Sequence, residues 1–154
     1  MIATATPWNT RFAGTEQRTY FTTGGERAVT AEVTTDHGER RVWFIAWVTT
    51  GARDRWGNPI REVITRGSYA LTRYAAAVAK RYVSRIASKA AYAEATAYYQ
   101  RAMTRALERV ADARALLDAT DLTDYRTLVA RQDELAQLTV ELAEVERRMY
   151  ALAA

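Results

Sequence analysis

From Gln17 to Arg66 apolar and polar residues alternate in short runs between Gly- and Asn-containing breaks; after Ser68 the period becomes helical and no Gly or Pro occurs again. The first region predicts strands. "QRTYFTT" is rich in Thr and aromatics, and the following Gly24-Gly25 pair suits the positive φ angles of a two-residue hairpin. "ERAVTAEVTT" alternates Val29, Ala31 and Val33 with Thr30, Glu32 and Thr34, and "DHGE" supplies the next turn. "VWFIAWVTT" comes third and "IREVITR", after the Asn58-Pro59 breaker, fourth.

The third strand departs from the rule for a half-buried strand. Both of its alternating sets are apolar: Val42, Phe44, Ala46 and Val48 on one face, Trp43, Ile45 and Trp47 on the other. An internal place in a four-stranded antiparallel meander accounts for part of this. The second apolar face still needs a cover, and the chain itself, a second copy or the bases of a nucleic acid are the alternatives.

Ser68 is placed to cap a helix running to about Asp118, with Leu71, Tyr74, Val78, Tyr82 and Ile86 as the stripe that packs on the sheet. "DATDLTD" interrupts, with Thr123 as the expected N-cap of a last helix and Asp124 in its first turn. There Leu128, Leu135, Leu142 and Met149 recur every seven residues. Leu138, Val145 and Leu152 fall three beyond, Arg131 occupying the corresponding earlier position. Met103, Val110 and Leu117, supported by Tyr99 and Leu107, form the natural partner seam in the preceding helix. The expectation is an α+β protein: an extension (1–16), a four-stranded antiparallel β-meander (17–66), and a long helix with a heptad-bearing antiparallel partner (67–154), forming a helical hairpin in one continuous domain.

The chain of 154 residues has material for one folded core, at 49% hydrophobic and 26% charged residues. With no cysteine, disulfides, thiolate metal sites and cysteine nucleophiles are excluded. No secretory leader pattern or membrane-length apolar run is present, so a soluble, cytoplasmic protein without membrane contact is expected. The charge of +4 is uneven: residues 1–66 carry +2, 67–119 carry +5 and 120–154 carry −3. Twenty of the 22 cationic residues are arginines, a bias that a GC-rich coding sequence also produces.

Three groups bear on function. Arg53, Arg55 and Trp56, in "GARDRWGNP", together with Trp43 and Trp47, are the residue types that dominate protein interfaces; the structural alternative is that Trp56 anchors the loop onto the sheet. Arg73, Lys80, Arg81, Arg85 and Lys89 follow one another with no carboxylate between Glu62 and Glu94. Arg81, Arg85 and Lys89 share a helix face, suited to tracking phosphates if not simply solvated or paired with Glu141 or Glu144 of a neighbouring subunit. Finally, Leu128, Leu135, Leu138, Leu142, Val145 and Met149 form the oligomer or hairpin seam.

Catalysis is not expected. His37 is a lone turn histidine, and Asp54 with Glu62, or Asp118 with Asp121 and Asp124, are carboxylates in places where loops and caps use them. No phosphate-cradling loop, nucleophile elbow or paired-histidine motif occurs, and no metal or cofactor is implied. The reading is a non-catalytic interaction protein: a homo-oligomeric adaptor, scaffold or inhibitor, a role that would suit a phage or mobile element, binding a protein or itself. The alternative is a single-stranded nucleic-acid-binding protein that stacks bases on the sheet aromatics, flanked by Arg18, Arg27, Arg40 and Arg41, and holds phosphates on the basic helix face.

Overall fold

A computed structural model describes residues 3–22 and 28–153. The chain is α+β: an antiparallel curled sheet of six strands followed by two helices. The strands are β1 (Ala3–Ala5), β2 (Asn9–Phe12), β3 (Thr15–Thr22), β4 (Ala28–Asp36), β5 (Arg41–Arg53) and β6 (Pro59–Ala70). The helices are α1 (Ala75–Asp118) and α2 (Tyr125–Ala153). Gly24-Gly25 and Arg27 lie outside the described residues. Contacts divide the chain into two compact units, residues 1–95 and 96–154, with α1 contributing to both.

In the first unit the sheet order is β1-β3-β4-β5-β6, and β2 also pairs with β3. The four expected strands are thus joined by two more from the segment read as an extension. Ala5 pairs with Tyr20, and Asn9 and Thr10 with Gln17 and Glu16, so the N-terminal segment folds back along β3 in two short pieces around Pro7. Such short strands carry too little alternation to be read as periodic. At the β2–β3 turn, Gly14 takes φ +76°, and a Cβ there would lie 2.8 Å from the Thr35 carbonyl oxygen, so the turn requires glycine.

The helix begins at Ala75, six residues later than a Ser68 cap implies. Ser68 is in β6, opposite Trp43, and its hydroxyl accepts from Arg41 Nε (3.1 Å) and Nη2 (2.9 Å). β5 offers pairing partners as far as Arg41, opposite Ala70, and the Leu71 amide continues to the Arg40 carbonyl at 2.7 Å. Tertiary pairing therefore overrides the local cap signal.

The buried helix stripe is also different. Ala75, Ala79, Val83, Ala87 and Ala91 pack against Val29, Ala31, Val33, Val42, Phe44, Ala46 and Val48. Of the expected stripe, Tyr74 and Val78 are exposed, Ile86 is half-buried, and Leu71 and Tyr82 pack at the core's margin. The reason is size complementarity: the sheet brings Phe44 and Tyr69, and small helix residues let the backbone approach closely enough to leave no void. The Phe44 ring meets Tyr69 (centroids 5.3 Å apart) and Tyr82 (5.2 Å). It lies directly over Gly67, where a Cβ would fall 2.5 Å from Phe44 Cζ.

In the second unit Tyr99, Ala113, Leu138 and Leu152 are buried. Leu128, Leu135, Leu142, Val145 and Met149 are half-buried, as are Met103, Val110 and Leu117. Leu107 is instead exposed, and the neighbouring Ala106 is the half-buried residue of that turn. The cap of α2 is Asp124 rather than Thr123. Asp124 Oδ1 accepts the Thr127 amide (3.2 Å), while Thr123 donates its hydroxyl to Asp121 (2.8 Å). These hydrogen bonds hold both aspartate carboxyls below the usual range, through the Thr127 side chain chiefly for Asp124 and the Thr123 amide chiefly for Asp121.

Candidate interaction surface

Strand alternation decides which β5 side chains are left for a partner. Val42, Phe44, Ala46 and Val48 face α1 and are buried, so Trp43, Ile45 and Trp47 face the other side, with Thr30, Glu32 and Thr34 of β4 as their cross-strand neighbours. The two tryptophans differ. Trp47 is 5% exposed, whereas Trp43 is 43% exposed and borders a recess of about 550 Å³ with Ile45, Glu32, Arg66 and Ser68.

Trp47 is the floor of a second recess, of about 600 Å³, in the curled face. The rest of its lining comes from Thr6 and from β2, β3, β4, β5 and the start of β6, including Arg11, Thr19, Thr49 and Arg61. The Arg61 guanidinium lies 4.9 Å from the Trp47 ring centroid, and Arg41 lies 5.6 Å from that of Trp43. Arg11 reaches Gln17 (3.3 Å) and Glu32 (3.7 Å). Part of the cover for the doubly apolar strand is therefore the chain's own arginines and N-terminal strands. The alternation around β5 identified this face, but Arg61 was not among the candidate residues. A register shift between β5 and β6 after Ala46 sets its position, and no local pattern announces that shift.

The β5–β6 connection is a rigid turn. Asp54 Oδ1 accepts the amides of Trp56 and Asn58 (both 2.9 Å), Asp54 Oδ2 accepts Asn58 Nδ2 (3.3 Å), and Arg53 Nη1 donates to the Gly57 carbonyl (2.6 Å). Gly57 takes φ +85°. The Asn58 amide first, and the other donors with it, hold the Asp54 carboxyl below its usual range. Trp56 does not anchor the loop: it is 71% exposed, with the Arg55 guanidinium 3.9 Å from its ring centroid. Arg53, Arg55 and Trp56 thus form one fixed projection.

Of the basic residues expected on the helix, Arg73 is exposed in the turn before α1, over Tyr74, and the four on α1 separate into two groups. Lys80 is turned inward, ion-paired with Glu16 and 5.5 Å from the Trp8 ring centroid. Arg81, Arg85 and Lys89 are exposed. They stand two residues beyond Ala79, Val83 and Ala87, which turns them to the side of α1 away from the sheet. The exposed sheet tryptophan and the cation row consequently occupy opposite sides of the sheet–helix layer. Glu141 and Glu144, considered as intersubunit partners for these cations, are engaged within the chain by Arg109 (2.9 Å) and by Arg147 and Arg148.

Asp54 is committed to its own turn, and Asp121 and Asp124 to the α2 approach. His37 is exposed in the β4–β5 turn, where Asp36 accepts the Gly38 and Glu39 amides. Among the described residues, no group of three or more His, Cys, Asp or Glu side chains is placed to hold a metal ion, and no helix is long and apolar enough to cross a membrane. Neither a protein-family model, nor a curated protein, nor a solved structure matches the chain.

Proposed function

We propose that this is a non-catalytic macromolecular interaction protein that binds a protein partner, a second copy of itself in the first instance, through the outer face of the sheet and the β5–β6 turn. The observation that carries this reading is the pairing of exposed tryptophan with arginine on one β-ribbon: Trp43 with Arg41 and Trp56 with Arg55. Trp and Arg are the side chains that most often dominate binding energy, and the Asp54-centred turn holds the backbone at Trp56, which lowers the entropy lost in ordering the loop on docking. The rim of the Trp43 recess holds Arg66 and Glu32, the latter at 3.7 Å from Arg11, so a two-fold-related copy brings both signs of charge to the same rim.

The helices of the second unit are proposed to pair as an antiparallel hairpin through the heptad seam. Arg109 with Glu141, and Tyr99 with Arg148, support this, because the α2 partner number falls as the α1 number rises.

Sedimentation velocity of the full chain at micromolar concentration tests the reading. A defined oligomer is expected, and Trp43→Ala is expected to weaken it by at least about 2 kcal/mol, roughly thirtyfold in Kd. A strictly monomeric wild-type chain would remove the main support for self-association through this face.

A further inference from the structure

We infer that the outward face of α1 between Arg81 and Lys89 is a second binding surface, taking the phosphodiester backbone of a nucleic acid without reading its sequence. It is distinct from the tryptophan-bearing sheet face and does not depend on what binds there. Arg81, Arg85 and Lys89 advance about 6 Å per cation along the helix. A nucleic-acid strand carries a phosphate every roughly 3.4 Å of axis, so each flexible cationic stem has one within reach.

Among the described residues none of the three makes an ion pair, and sequence supplies no carboxylate between Glu62 and Glu94. Lys80, which does have a partner, points to the sheet instead. Exposed Tyr74 and Val78 lie on the same side of the chain, and a phenol beside a row of cations suits contact with sugar and base edges.

Other occupants fit less well. The carboxylates weighed as partners from a second copy, Glu141 and Glu144, are already held by Arg109, Arg147 and Arg148, and a second copy is itself net positive. A helix that inserts into lipid needs a continuous apolar face, which in this part of α1 is already packed on the sheet, and three cations fall short of the roughly four to eight that a polybasic lipid site clusters. A polyanion with regularly spaced charge is the partner that remains.

The test is fluorescence anisotropy of the full chain with a labelled mixed-sequence 20-mer, single-stranded and duplex, from 50 to 200 mM salt. Three phosphate contacts predict log Kd against log salt slopes of about 2.7 for duplex and 2.1 for single strand, or roughly fortyfold and twentyfold weakening over that range. The triple substitution Arg81→Gln, Arg85→Gln, Lys89→Gln, at exposed positions, is expected to keep the circular dichroism spectrum and to flatten the slope. The charge-matched triple Arg101→Gln, Arg105→Gln, Arg114→Gln, at exposed positions of α1 outside the row, is expected to leave affinity within about twofold. The inference is overturned by no binding up to about 100 µM at 50 mM salt, by equal binding of the row's triple variant, or by a loss in the control triple as large as that in the row's triple. Anionic phosphatidylglycerol vesicles binding the wild type more tightly than either oligonucleotide would also overturn it, in favour of a lipid surface.

Discussion

Gly67→Ala tests how the sheet and α1 fit together. A methyl group there would lie 2.5 Å from Phe44 Cζ, closer than carbon atoms approach, and 3.1 and 3.2 Å from its two Cε atoms, tighter than ordinary van der Waals contact. Phe44 cannot simply swing aside, since Tyr69 and Tyr82 hold its ring at about 5 Å centroid spacing and it is almost fully buried. Overpacking of this kind costs about 1–3 kcal/mol. Replacing a strand glycine returns roughly 0.5–1 kcal/mol by restricting the unfolded chain. The expected net loss is about 0–2.5 kcal/mol, or a fall of up to roughly 10 °C in Tm for a chain of this size. Urea denaturation of wild type, Gly67→Ala, Phe44→Leu and the double variant closes a cycle. With the ring gone the alanine methyl has room, so a coupling of about 0.5–3 kcal/mol should appear. Simple additivity, or a Gly67→Ala protein more stable than wild type, would refute the account of Gly67 as the space that admits the Phe44 ring.

Three further outcomes are expected. Asp54 has a lowered carboxyl pKa in the fold, so its contribution to turn stability is fully present above the ordinary value of about 3.8 and is lost as pH falls through the lower folded value. Amide hydrogen exchange at Trp56 and Asn58 should quicken in Asp54→Ala at neutral pH, and unchanged exchange would show that the carboxylate does not hold the turn. Arg131 places a buried Nε, without a hydrogen-bond partner among the described residues, at the position of the proposed seam that corresponds to Leu138, Val145 and Leu152. Arg131→Leu should therefore raise stability by about 1–3 kcal/mol in thermal denaturation, and a destabilised variant would contradict the seam. Lys80→Met removes a partly solvated ion pair with Glu16 while keeping an apolar stem beside Trp8, so a loss below about 1 kcal/mol is expected in urea denaturation; a loss several times larger would mean that the pair orders the N-terminal strands.

The periodic part of the chain was legible without a fold. Alternation in 28–36 and 42–50 identifies two central strands and the face each presents, because a strand's side-chain period is fixed at two. Long uninterrupted helices follow from good helix formers with no Gly or Pro after Gly67. The candidate turn at 53–56 was legible as residue types, though not as a rigid projection, since the Asp54 hydrogen bonds depend on how β5 and β6 bring its two ends together. Tertiary structure alone decided the rest. β1 and β2 exist because β3 offers them an edge, and β6 continues past Ser68 because β5 still has partners to give. The stripe facing the sheet is the alanine row, since close packing selects a fit between surfaces rather than the largest apolar residues of one element. Trp43 and Trp47 occupy the same face by sequence, yet one is open and the other lies beneath Arg61, because burial depends on what distant segments of chain are folded over each position.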